Sequence, residues 1–246
     1  MGQIPSWTEE APAMRVKVGL ELESETRALA WALDFPGCFA YGKDGPEAVF
    51  GMAQAMVAYT QWVERHGGSL EMENFDLRLV DTWQVYNINE EYDEAKEGIE
   101  VNAWFLHDWK PLTEQEVKRG LELLRWSRED LLVVAGAVSE EILDRAYPGE
   151  RWSIRGVLEH IGGAEWWYMN RLGAGGPRDA LPKDVWGLLG AVREQLIGTL
   201  PGWVGLKQVM GIEGEFWSPR KVLRRALWHE IDHREHIRKL LTLQNK

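Results

Sequence analysis

The sequence predicts an α+β protein in two parts, a small αβ unit over residues 1–109 and an all-α four-helix bundle over 110–246. Three observations predict it. Apolar residues alternate with period two through Met14–Leu22 and extend through Arg27–Asp34, which suits half-buried strands. From Glu114 onward, apolar residues recur at helical spacing in four segments. Charge is also split: residues 1–110 hold 20 Asp/Glu against 8 Lys/Arg, whereas 111–246 hold 19 against 20.

Pro36-Gly37 ends the second strand, and Gly42-Lys43-Asp44-Gly45 is a loop. Pro46-Glu47 stands where a helix begins; Ala48–Arg65 continues it and Gly67-Gly68 closes it. Phe75–Tyr86 and Glu100–Phe105 are predicted strands, joined by an acidic loop over Asn87–Gly98. Asp108–Thr113 forms the linker. Thr113 and Glu116 make a capping box for a first helix over Glu114–Val138. Further helices are predicted over Ser153–Leu172, Lys183–Thr199 and Pro219–Leu243, a set sufficient for a bundle.

The length of 246 residues and an apolar content of 45% support a real core. Cys38 is the single cysteine, which excludes an internal disulfide and suits a reducing compartment. No stretch reads as a signal peptide or a membrane span, so a soluble cytoplasmic protein is expected. The acidic front half argues against nucleic-acid binding. The basic residues of the last helix, among them Arg220, Lys221, Arg224 and Arg225, are read as a solvated face or as partners for nearby acids.

Two helices open alike, Trp152-Ser153-Ile154-Arg155 and Trp217-Ser218-Pro219-Arg220, each with Ser as N-cap. Counted from each Trp, His160 and then His229 and His233 fall at whole-turn steps on equivalent stripes. If the stripes face each other, three imidazoles converge, a set suited to a divalent transition metal. The competing reading is a structural one, with His160 in a core hydrogen-bond network and the others half-exposed. Gly156, Gly163 and Ala164 leave room beside His160, with Trp167 as a wall, although small residues equally serve close helix packing. His236, at i+7 from His229, could replace His233 or add a fourth ligand, and is otherwise read as a support behind the ligands or a surface residue.

His229-Glu230-Ile231-Asp232-His233 also fits the H-E-x-x-H pattern, in which the Glu is a general base. A protease would need a third ligand downstream, and none is evident. Glu230 is carried as a catalytic candidate beside its reading as an ion-pair partner. Cys38 reads as structural, and Gly173–Pro177 as a flexible connection.

The helical half resembles the DinB-like (damage-inducible) superfamily of metal-binding four-helix bundles. The resemblance lies in Trp152–His160, Glu215–Ser218 and Leu227–His233, and spans roughly residues 112–244. It implies His160, His229 and His233 as ligands of zinc or nickel, an up-up-down-down helix order and frequent homodimers. It also implies, for some members, transferase or isomerase chemistry with a low-molecular-weight thiol. The front half resembles the HicB-like antitoxin fold, through Ala30–Gly42 followed by Asp44-Gly45-Pro46-Glu47-Ala48. Antitoxins of that type add a DNA-binding segment, whereas here the helical half follows. Three function classes stay open: a metal-dependent thiol transferase or hydrolase, a non-catalytic binding or sensor protein, and an antitoxin-like protein.

Overall fold

The structure is a computed structural model that describes residues 14–243 apart from 25, 71, 73 and 89–98. The chain runs β1 (Met14–Ser24), β2 (Arg27–Ala32), β3 (Phe39–Gly42), α1 (Gly45–Arg65), β4 (Phe75–Gln84), β5 (Tyr86–Ile88) and β6 (Ile99–Val101). It continues α2 (Glu114–Ala135), α3 (Glu140–Leu143), α4 (Ile154–Asn170), α5 (Val185–Thr199), β7 (Met210–Ile212), β8 (Glu215–Trp217) and α6 (Pro219–Leu243).

The first sheet has the order β3-β2-β1-β4. β1 is antiparallel to β2 and parallel to β4, and α1 lies in the crossover that a parallel pair requires. The alternation read from the sequence is expressed directly. Val16, Val18 and Leu20 share a buried cluster with Met52 and Met56 of α1. The opposite face, with Leu29, Trp31 and Leu33, packs with Phe105 and with Trp228 of α6. Gly19 allows this approach, because a Cβ there would stand 2.9 Å from the Phe105 ring.

β3 and the β7–β8 hairpin add to the predicted elements. The hairpin turns through Glu213 (φ 54°) and Gly214 (φ 79°), the positive-φ pair of a type I′ turn. The predicted strand at Phe75–Tyr86 ends at Gln84, and Tyr86–Ile88 forms a separate pairing with β6. Asn87 and Ile88 are thus strand rather than loop; the rest of the expected acidic loop, 89–98, lies outside the described residues. The predicted strand at Glu100–Phe105 stops at Val101. Carboxylates replace a ladder beyond that point: Ala103 N–H donates to Glu21 (2.8 Å) and Phe105 N–H to Asp108 (2.9 Å). The chain then turns through a short 3-10 helix at Leu106–Trp109.

The helix starts match their sequence signals. Thr113 and Glu116 form the reciprocal cap of α2. Ser153 Oγ accepts from Gly156 N–H, and Ser218 Oγ from Lys221 N–H, both at 3.2 Å. α6 lies between α2 and α4, and α5 packs on α4. The largest apolar cluster joins sheet and α1 residues to Leu123, Leu223 and Leu227 of the bundle. Among the described residues no helix is long and apolar enough to cross a membrane.

The basic residues at the start of α6 are not a solvated face. They are buried partners of acids, most of them from earlier in the chain. Arg224 donates to Asp108 (2.6 Å), Lys221 to Glu215 (2.6 Å) and Arg220 to Glu116 (2.6 Å). Arg220 also binds the carbonyls of Lys110 and Pro111. The expected boundary at 109/110 therefore lies inside a clamp held by α6.

Asp108 is fully buried, so Asp108→Ala strands the Arg224 charge; urea unfolding should show a loss of about 3–5 kcal/mol. Glu116 offers a pH test. Burial works to raise its pKa, but the Arg220 guanidinium and Thr113 bring it down to about 2. A carboxyl depressed on folding stabilises the fold above its unfolded value and loses that contribution as pH falls through the folded one. Glu116→Gln should therefore be less stable than the parent at pH 7, with the gap closing between about pH 4.5 and 2.

Candidate metal centre

His160 comes from α4 and His229 and His233 from α6, and their side chains meet. The Nε2 atom of His229 lies 3.0 Å from that of His160 and 3.1 Å from that of His233. All three donor atoms fall within 4.8 Å of one another. His229 is buried, and the other two are half-buried. Aromatic packing orients the rings. Trp152 stacks on His160 with centroids 4.5 Å apart and meets His233 edge-on, while Tyr168 meets His229 edge-on.

The donor set fits a transition-metal ion. One ring nitrogen carries a single lone pair or a single hydrogen, yet His229 Nε2 faces two others. Two nitrogens sharing a tetrahedral ion at metal–nitrogen distances near 2.0–2.1 Å stand roughly 3.3 Å apart, close to the observed contacts. Burial first, then the neighbouring imidazoles and Arg225, hold His229 well below the ordinary histidine value. Burial, His160, His236 and Arg27 bring His233 to about 3. Both rings are thus neutral at pH 7, the state that ligates. His233 Nδ1 is buried without a hydrogen-bond partner, so packing rather than an outer carboxylate fixes that ring. His236 instead faces Glu150 at 3.0 Å, and its ring centroid is 6.1 Å from that of His233.

The cluster opens on a cavity of about 1060 Å³. Gly156, Gly163, Ala164 and Trp167 line it, where the sequence suggested room and a wall. Trp152, Trp166 and Trp228 supply further aromatic surface. Several lining residues were not singled out in the sequence, Asp232 and Arg27 among them. Asp232 lies between the paired histidines of α6. Arg27 comes from β2, far from α6 in sequence, so only the tertiary fold brings it here.

Glu230 points elsewhere. It is 1% exposed and forms part of a four-charge ring with one residue from each bundle helix. Arg128 of α2 donates to Glu230 (2.7 Å) and to Glu165 of α4 (2.8 Å). Arg193 of α5 donates to Glu165 (2.6 Å) and lies 3.0 Å from Glu230. The two arginines also reach the backbone carbonyls of Leu189 and Leu124, respectively. Burial works to raise the Glu230 pKa, but Arg193 and Arg128 keep it below the ordinary carboxylate value. Cys38 is buried against Met56 and its thiol pKa is pushed up by burial, so it offers no ready thiolate. His66 faces Asp130, and His107 faces Asp34.

Residues 123–237 match the DinB superfamily. Over 55% of this chain and 90% of the other, the fold overlaps that of YfiT from Bacillus subtilis, described as a "probable metal-dependent hydrolase with an unusual four-helix bundle topology". The identity is 16% and the TM-score 0.42, too low to transfer an activity or a site. No curated protein matches the chain.

Replacing Glu230 separates the ring from the metal centre. Glu230→Ala should cost about 3–5 kcal/mol in denaturant unfolding, because two buried guanidiniums lose a partner. Metal stoichiometry of the folded fraction should be unchanged.

Proposed function

We propose that this protein is a metal-dependent enzyme, a transferase or hydrolase, that holds zinc or nickel on His160, His229 and His233. One observation carries the reading. Among the described residues the histidine cluster has three members, and it faces a large cavity rather than a fourth protein ligand. Structural zinc sites are closed by four protein ligands, whereas catalytic ones keep a position open. Bound there, a divalent ion supplies Lewis-acid chemistry and lowers the pKa of a water or a thiol cosubstrate.

The chain's own residues do the rest. Burial keeps the imidazoles neutral and ready to donate. Trp152 holds the His160 ring by stacking, and the tryptophan walls give an apolar body a surface to lie on. The Asp232 carboxylate, beside the paired histidines, is placed to orient a donor group on a substrate.

The resemblance of the helical half to the DinB-like superfamily is our reason for proposing a low-molecular-weight thiol as cosubstrate and a homodimer as the working unit. For the front half we retain the HicB-like reading, supported by the order β-β-β-α-β around Pro36-Gly37-Cys38 and Pro46-Glu47. Its role here is to pack on α6 and complete the cavity, not to bind DNA.

Elemental mass spectrometry of the untagged protein tests the proposal. About one equivalent of zinc or nickel is expected in the parent, and none in the His160→Ala, His229→Ala double variant. No metal in either, even after Zn²⁺ or Ni²⁺ is added, would overturn the enzyme reading in favour of a binding protein.

A further inference from the structure

The two edges of the four-stranded sheet differ. β3, at one edge, meets α6 beside the histidine cavity, where Tyr41 accepts from Trp228 (3.0 Å). β4, at the other, has no strand on its outer side among the described residues. An edge of this kind presents backbone donors and acceptors to another strand. Its open stretch is bounded by a bulge at Val80, since Leu79 lies opposite Val18 and Asp81 opposite Gly19. Past the bulge, the Asp81 carboxylate takes the N–H groups of Thr82 (2.9 Å) and Leu106 (2.7 Å). Phe75–Leu79 remains, and its two faces are unlike. Phe75, Leu77 and Leu79 stand on the α1 side, opposite Met14, Val16 and Val18 of β1. α1 lies mainly over β2 and β3, so this row is incompletely covered: Phe75 and Leu77 are half-buried and Leu79 is 52% exposed. Asp76 and Arg78 stand on the other side and pair with each other at 2.5 Å.

We infer that β4 is the interface with a second copy of this chain: the two strands pair antiparallel about a two-fold axis through Leu77, and two four-stranded sheets become one. The inference rests on the homodimer proposed above and gives it a surface. Charge selects the register. A two-fold axis normal to the sheet keeps like faces together only when it passes through a residue. Through Asp76 or Arg78 it sets like charges directly opposite, which is destabilising. Through Leu79 it sets Leu77 against a carboxylate, that of Asp81, and through Phe75 it pairs the strand with residues that precede it. Through Leu77 it sets Asp76 opposite the partner's Arg78 at both ends, so each carboxylate keeps the arginine of its own strand and gains a second. The same register sets Phe75 against the partner's Leu79, and Leu77 against the partner's Leu77, which covers the exposed apolar row. On a chain of net charge −11, a self-contact needs such alternation of sign. The β3 edge stays with α6 of its own chain, so each copy keeps its own cavity.

Sedimentation velocity of the full-length protein over a concentration series tests this. The parent should dimerise reversibly. Arg78→Glu sets carboxylate against carboxylate at both ends and should raise the dimer dissociation constant roughly tenfold. The charge-exchanged double variant, Asp76→Arg with Arg78→Asp, rebuilds both pairs and should return to the parent's value. Oxidation with diamide reads the register. Cys38 is buried, so the thiol introduced by Leu77→Cys is the reactive one and should link two chains. Thr82→Cys places its thiol far from the axis and should not. A parent dimer whose dissociation constant is unchanged in Arg78→Glu, or that gives no cross-link in Leu77→Cys, would overturn the inference and leave the homodimer to another face. A parent that stays monomeric at every concentration would overturn both.

Discussion

The bundle turns on the ring formed by Arg128, Glu165, Arg193 and Glu230. Each helix of the bundle contributes one member, every member is almost fully buried, and the charges alternate. Such a ring need not add net stability, since desolvating four charges is expensive. What it adds is a constraint. Rotating or sliding any one helix would strand a charge in the core, so the ring selects one mutual rotation of α2, α4, α5 and α6. Because Glu230 follows His229 directly, the helix rotation that seats Glu230 in the ring is the same one that turns the histidine stripe of α6 toward His160. Glu165 does the same for α4, five residues beyond His160.

α6 consequently serves three surroundings at once. One side carries Glu230 into the ring. Another presents His229 and His233 to His160 and the cavity. Its first turns carry Arg220, Lys221, Arg224 and Arg225 against β8, the 108–116 segment and the second face of the sheet. These cations are buried, so removing an equally buried acid such as Asp108 or Glu215 carries a large cost. The front half is held by apolar packing and by charge together, and this docking brings Arg27 to the cavity beside the histidines. The PGC turn belongs to the same contact. Gly37 has φ 89°, and a Cβ there would stand 3.0 Å from Ile231 of α6.

Much of this was legible in the sequence where the determinants are local. Capping residues Thr113, Ser153 and Ser218 act within one turn, so the helix starts could be read closely. The spacing of His229 and His233, and the matched start at Trp152, foretold a shared stripe. Period-two alternation marked β1 and β2. The misread segments are those whose hydrogen bonds go to distant partners. Ala103–Phe105 looks like a strand, but its donors are taken by Glu21 and Asp108. The ring also left a trace: Arg128 and Arg193 sit among leucines at helical spacing, an odd place for a charge. Nothing local says that they meet Glu165 and Glu230.

By itself, then, the sequence determined the succession of elements, the ends of the long helices and the three imidazoles available to a metal, because periodicity and capping are properties of neighbouring residues. Only the tertiary structure decided which charges are buried and paired, that Glu230 faces the ring rather than the histidines, and that β2 reaches the cavity. Those outcomes depend on which surfaces lose water against each other. The identity of a charged residue does not reveal whether its partner will be solvent or an acid a hundred residues away.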